Sequence, residues 1–267
     1  MYKYHISEIW CENNGQKIYG IAYVPEVNGK VPLVIYAHEL CHTHEAGTGY
    51  AKELASHGIA VYTFDFRGGS YDSKSDGKTT EMSVITEVSD IQAVIAAAGT
   101  WDFVDVDKIY LLGGSQGGMA AAGVAERNPE AVAGLMLLYP AFVIPDVVHG
   151  QFHSLETVPE QFNWMGWIMV GRMYASDVWD YDPYRQMKSY HGPVLILHGD
   201  RDELVDMSYS QKAIEHYPNA KLHMIKGAGH MFSGPGFEVA VEYILNFLQT
   251  QLDYITIIKK EGYHGNL

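Results

Sequence analysis

A serine between glycines, an aspartate and a histidine follow one another along this chain, and together they could assemble an activated nucleophile. Ser115 lies in the run Gly113-Gly114-Ser115-Gln116-Gly117-Gly118. A serine hydroxyl attacks poorly at neutral pH unless a base stands beside it. Here Gly113-x-Ser115-x-Gly117 falls between a predicted strand and a predicted helix, where a sharp turn would expose the hydroxyl and crowd out larger neighbours. The helix that follows would also point its positive end at a developing oxyanion. A plain turn or a phosphate-binding turn would use glycines too, but no lysine follows them, so this is not a P-loop.

The remaining parts stand further on. Leu195-Ile196-Leu197-His198-Gly199-Asp200-Arg201-Asp202 places a carboxylate just beyond a buried strand, and Gly227-Ala228-Gly229-His230 places a histidine just beyond the next. A histidine near Ser115 would take its proton, and an aspartate would fix the imidazole tautomer. Asp202 and His230 are the expected pair. Asp200 lies too close to its strand end, and Asp206 leads into the next helix. His223 falls inside a strand, and His198 at a strand end reads as a structural residue.

Another motif competes for the chemistry. His38-Glu39-Leu40-Cys41-His42 spells the H-E-x-x-H zinc signature, which needs both histidines on one helix face and a third ligand. Its first histidine ends a strand that contains Pro32, and Gly47 and Gly49 follow closely, so no helix is expected. Among 13 histidines a chance match carries little weight. Neither a metal nor a cofactor is expected.

The surrounding pattern says what must hold these residues. Alternating segments over 3–11 and 16–24 flank Asn13-Asn14-Gly15 as an antiparallel hairpin. Continuous apolar runs at 31–37, 59–64, 108–112, 132–138, 193–198 and 220–225 read as buried strands. Helical patterns near 48–57, 84–98, 119–126, 207–216 and 236–251 alternate with them, which predicts an α/β fold: a mostly parallel sheet with helices on both faces. One interval breaks the rhythm. Over 141–181 the chain carries Phe142, Phe152, Phe162, Trp164, Met165, Trp167, Met169, Met173, Tyr174 and Trp179, far more than a connection needs. This divides the chain into a core of 1–140 and 182–267 and an inserted lid of 141–181. The lid is expected to be a small helical subdomain that makes its own core, an apolar roof over the site, or both.

Composition narrows the partners. A formal net charge of −14 argues against nucleic acid and against anionic membrane surfaces. Cys11 and Cys41 are too few for a disulfide framework. No basic start followed by an apolar run opens the chain, so the expectation is a cytoplasmic protein without a signal peptide, acting on a small molecule. A homodimer is left open, and the tail 254–267 is unassigned.

On Gly-Gly-Ser115-Gln116-Gly-Gly, Phe64-Asp65-Phe66-Arg67-Gly68-Gly69-Ser70, Gly199-Asp200-Arg201-Asp202 and Gly229-His230, the chain resembles an α/β-hydrolase of the carboxylesterase type, similar to bacterial cinnamoyl and feruloyl esterases. The resemblance spans nearly the whole chain and implies the α/β-hydrolase fold with its inserted lid. It implies ester cleavage through an acyl-enzyme: Ser115, Asp202 and His230 catalyse, and the backbone N–H groups of Gln116 and Leu40 hold the oxyanion. Short acyl or aryl esters of the hydroxycinnamoyl kind are the implied substrates. Asp146, Gln151, His153 and Trp164 in the insert are candidate substrate contacts, or ordinary cap residues. The family usually has His-Gly-X where this chain has His38-Glu39-Leu40, so Glu39 either distorts the oxyanion hole or points away from it. Thioesterase, peptidase or lipase action on the same scaffold, and a binding protein with an impaired oxyanion hole, are the alternatives.

Overall fold

The computed structural model describes residues 1–185 and 187–261, with side chains described as far as Asp253. Strands β1 (Tyr4–Asn13) and β2 (Gln16–Pro25) form the expected hairpin, turned by Asn14 and Gly15, both at positive φ. After them come β3 (Val31–Ala37), α1 (Thr48–Ser56), β4 (Ala60–Phe64), α2 (Val84–Ala98), β5 (Val104–Gly114), α3 (Ser115–Arg127) and β6 (Gly134–Leu138). The interval before the next long strand holds α4 (Ile144–Gln151), the short strands β7 (Gln161–Trp164) and β8 (Ile168–Gly171), and α5 (Arg172–Ser176). The chain closes with β9 (Val194–Gly199), α6 (Met207–His216), β10 (Ala220–Ile225) and α7 (Pro235–Glu261).

Eight strands make one sheet in the order β1-β2-β4-β3-β5-β6-β9-β10. β1, β2 and β4 pair antiparallel, and every pairing from β4 to β10 is parallel. β3, β6, β9 and the part of β5 from Ile109 onward are buried almost throughout because helices cover both faces, which is why they read as unbroken apolar runs. Two cores result, one on each face. α2 and α3 pack over the larger with Val88, Ile91, Met119 and Val124; α1 and α7 close the other with Tyr50, Leu54, Ile244 and Leu248.

Four local expectations shift. The helix expected from residue 119 starts at Ser115 itself, since the glycines belong to its first turn. The strand expected from 108 begins at Val104, where polar Asp105, Asp107 and Lys108 hid its alternation. The insert is not purely helical: Met165 and Gly166, both at positive φ, and Trp167 turn β7 back onto β8 in a three-residue loop, with Trp164 paired to Ile168. Helix α7 runs past its expected end as far as Glu261, and the last six residues of the tail lie outside the described part. No helix of the described residues is long and apolar enough to cross a membrane.

The insert is tied to the core by side-chain hydrogen bonds as well as by its two ends. The hydroxyl of Thr79 donates to the Met169 carbonyl at 2.6 Å, and the Met169 N–H donates to the Tyr71 hydroxyl at 2.9 Å. Ser83 at the N-cap of α2 donates to Asp177 at 2.6 Å. Inside the insert, Phe152, Phe162, Trp164 and Tyr174 stack on one another edge to face or tilted. Most of its aromatics are therefore core.

Candidate active site

Strand β5 ends where α3 begins, and Ser115 is the residue that makes the bend, at φ +49°. A non-glycine residue in the left-handed region is strained, and such strain clusters at functional sites. The turn is possible only because Gly114 and Gly117 have no side chains. A Cβ on Gly117 would overlap the Ala37 and His38 carbonyls, and one on Gly114 would overlap the carboxyl group of Glu39.

His230 comes from the loop after β10, and Asp202 from the loop after β9. The Nδ1–H of His230 donates to Asp202 Oδ2 at 2.7 Å, which leaves Nε2 free to accept the Ser115 hydroxyl proton at 3.0 Å. The side chain of Asp202 is almost wholly buried, yet its charge is well supported. Burial alone would raise its pKa, but bonds from His198, His230 and the Val205 N–H outweigh it and hold the carboxyl below the usual carboxylate range. The Leu204 and Val205 N–H groups both donate to Oδ1 at 2.9 Å. Ser115, His230 and Asp202 thus form a continuous chain of hydrogen bonds across the C-terminal edge of the sheet.

His198 has more to do than a strand-end residue needs. It is fully buried, and its Nε2–H is shared between the Val205 carbonyl at 2.9 Å and Asp202 Oδ2 at 3.2 Å. Its Nδ1 then accepts from the Ser210 hydroxyl at 2.7 Å. Asp200 ties the β9 loop to the Gly227 N–H, Asp206 caps α6, and His223 stacks on Tyr243, so none of the three reaches His230.

The residues of the zinc-like motif lie on a loop, not a helix. His38 is buried; its Nδ1–H donates to the Glu39 carbonyl at 2.7 Å and its Nε2 accepts the Phe66 N–H at 3.1 Å. Both nitrogens are therefore committed to the backbone, and among the described residues no three His, Cys, Asp or Glu side chains converge as a metal would require. The loop is held in place by the Cys41 N–H on the Gly69 carbonyl at 3.2 Å and the His42 N–H on the Glu39 carbonyl at 3.2 Å. Segment 65–70 is thus the brace of the loop that carries the Leu40 N–H. Glu39 does not face the cleft; it is 4% exposed and turned inward to the hydroxyls of Tyr36 and Tyr139.

Gln116, next to the serine, has both ends of its side chain occupied. Nε2 donates to Glu87 at 2.7 Å, and Oε1 accepts the Tyr174 hydroxyl at 2.6 Å. Burial pushes Glu87 well above the carboxylate range despite that bond. Sequence reasoning missed Glu87, although α2 carries it on the same helical face as Val84, Val88, Ile91 and Val94, an odd place for an acid.

A narrow cleft of about 60 Å³ opens above Ser115 and His230. Leu40 and Gln116 lie on one side; Ile144, Val147, Trp164, Met165, Trp167 and Tyr174 of the insert, with Leu204 and Val205, complete the lining. Of the candidate substrate contacts only Trp164 is in it. Asp146 accepts the Tyr209 hydroxyl at 2.7 Å outside the lining, because its side of α4 faces α6, and Gln151 and His153 lie at the exposed end of α4.

An eight-stranded sheet of this order, with a strained serine at the strand-to-helix turn and its acid and base on the following loops, defines an α/β hydrolase. The chain belongs to the prolyl oligopeptidase family, whose pattern matches residues 49–254. It is similar to the quorum-quenching protein AidA of Acinetobacter baumannii, 22% identical over 91% of this chain and 94% of that protein. Esterase EstD of Thermotoga maritima is 26% identical over 83% of this chain and 60% of its own length. Among solved structures, Est1E of Butyrivibrio proteoclasticus with ferulic acid bound aligns at a TM-score of 0.83 and 27% identity, covering 92% of this chain and 99% of that one.

Proposed function

We propose that the protein hydrolyses carboxylic esters of small, largely apolar acids through an acyl-enzyme on Ser115. In the first half-reaction Ser115 Oγ attacks the ester carbonyl while His230 Nε2 takes the hydroxyl proton. The imidazolium, held by Asp202, returns that proton to the departing alkoxide as the C–O bond breaks. Water then enters, gives a proton to His230 and attacks the acyl carbonyl; the serine leaves with that proton, releasing the carboxylic acid. The N–H groups of Gln116 and Leu40 hold the oxyanion in both steps, and losing one such donor typically costs about 2.7–4 kcal/mol.

The observation that carries the reading is the 2.7 Å and 3.0 Å pair of bonds that links Asp202, His230 and Ser115. The acyl preference rests on the cleft lining, which has no Asp, Glu, Lys or Arg side chain and whose Gln116 and Tyr174 polar groups already bond each other. A peptide terminus would find no ionic partner there, which favours esters over peptides. Aryl acids of the cinnamate kind fit this apolar wall, and the likeness to a ferulic acid complex supports including them. A binding protein with a disabled oxyanion hole is disfavoured because Glu39 turns away from the cleft.

The test is a panel of p-nitrophenyl esters of rising chain length, methyl cinnamate, methyl ferulate, an acyl-thioester and a peptide anilide, each assayed with wild type and Ser115→Ala. Ester turnover that vanishes in Ser115→Ala, with methyl cinnamate at least equal to methyl ferulate, is the expected result. Faster cleavage of the thioester or anilide than of any oxygen ester would replace the reading.

A further inference from the structure

Glu39 has a cost without an evident return. Burying a carboxyl group among apolar side chains is unfavourable unless partners compensate, and an apolar residue or glycine at that place would avoid the penalty. The partners here are specific. The Tyr139 hydroxyl donates to Oε1 at 2.8 Å, and the Tyr36 hydroxyl donates to the same carboxyl group at 3.1 Å and 3.3 Å. Tyr50 stacks on Tyr36, and its buried hydroxyl has no hydrogen-bond partner among the described residues. Burial, and then the neighbouring Glu39, push all three phenols above their ordinary range, so they stay protonated and Tyr36 and Tyr139 can donate to Glu39.

This cluster lies directly behind the reacting groups. The ring of Tyr139 packs against the imidazole of His230 with centroids 4.6 Å apart and against Phe232 at 4.8 Å. Tyr139 itself is held at φ +39°, a strained value, between the bond from its N–H to the Leu197 carbonyl at 2.7 Å and the bond from its hydroxyl to Glu39. On its other side Glu39 fills the space above Gly114, the residue before the nucleophile. One side chain therefore touches the base of the elbow and, through Tyr139, the face of the histidine.

We infer that Glu39 is a positioning residue: by anchoring the Tyr139 hydroxyl and packing on Gly114, it fixes the distance and angle between the His230 imidazole and Ser115. The inference rests on the proposed roles of Ser115 and His230. Asp202 holds the imidazole in its plane from the Nδ1 side, but nothing in that bond stops the ring from rocking about it. The Tyr139 ring supplies the missing wall, and Glu39 keeps that ring upright. Misplacing a reacting group by about 1 Å can lower a rate by about a hundredfold.

Two variants separate this from mere support of the fold. Tyr139→Phe keeps the ring and removes the tether; Glu39→Gln keeps the size and one acceptor. Each is expected to lower kcat by about tenfold to a hundredfold with KM nearly unchanged. The double variant should lose little more than the worse single one, because both cut the same link. A second readout needs no substrate: the downfield proton resonance of His230 Nδ1–H, identified by its loss in His230→Gln, should broaden and exchange faster in both variants. Unchanged kcat and an unchanged resonance in a folded Tyr139→Phe would overturn the inference, as would additive losses or a drop in melting temperature alone. If wild type hydrolyses no ester, the proposed function fails by itself, and the resonance still decides whether Glu39 positions His230.

Discussion

The C-terminal edge of the sheet and the insert above it are built on opposite plans. Along the edge, nearly every polar atom near Ser115 is bonded: His230 to Asp202, Asp202 to two N–H groups and His198, His198 to Ser210, and Gln116 to Glu87 and Tyr174. The insert offers the cleft almost only apolar surface, and its hairpin tip leaves Met165 46% and Trp167 49% exposed. Directional bonds fix a geometry to tenths of an ångström, while apolar walls accept any shape that fills them. The edge is suited to one chemistry, and the insert to choosing among substrates.

Mutations can break that contrast, and the edge should give the larger effects. Asp202→Asn keeps the shape but donates a hydrogen bond where the histidine needs an acceptor, which favours the wrong tautomer; kcat should fall by about 10⁴. The same variant should change the pH dependence of stability. The native pKa of Asp202 is depressed, so its ionisation contributes stability that is fully present above the unfolded carboxylate range. That contribution is lost as pH falls towards the native value. Denaturant midpoints from pH 7 down to pH 3 should therefore fall less steeply in Asp202→Asn than in wild type.

Within the insert the effects should be smaller and of two kinds. Trp164 is 2% exposed and packed on Tyr174 and Phe162, so Trp164→Ala should destabilise by about 3–5 kcal/mol, read as a lower denaturant midpoint. Trp167 stands half in solvent at the hairpin tip, so Trp167→Ala should leave the midpoint nearly unchanged. It should shift kcat/KM between short and long acyl esters by about 10–200-fold, the range that a hydrophobic pocket contact commands. Equal losses of stability in both variants would mean that the hairpin tip is packed as core and not poised over the substrate.

The two plans also explain what could be read from the chain. The order of strands and helices was legible because burial on both faces writes strands as unbroken apolar runs. Ser115, Asp202 and His230 were legible because each follows such a run at a glycine-marked end. Asp146 and Gln151 misled for a physical reason: composition shows that a polar residue lies in the insert, but only the rotation of α4 decides that Asp146 meets Tyr209 instead of the cleft. Glu39 was legible as an anomaly and not as a solution. Its partners Tyr36 and Tyr139 come from different strand ends, and nothing local to residue 39 announces that the side chain turns inward. Glu87 and His198 were hidden in the same way, by contacts that join distant parts of the chain.

The central claim is that Ser115 is a nucleophile activated by His230. Incubating the folded protein with a fluorophosphonate and locating the adduct by peptide mass spectrometry tests it most directly. The account predicts one phosphonyl group on Ser115, formed rapidly in wild type and hardly at all in His230→Gln. A folded wild-type protein that leaves Ser115 unlabelled, or that labels equally well without His230, would contradict it.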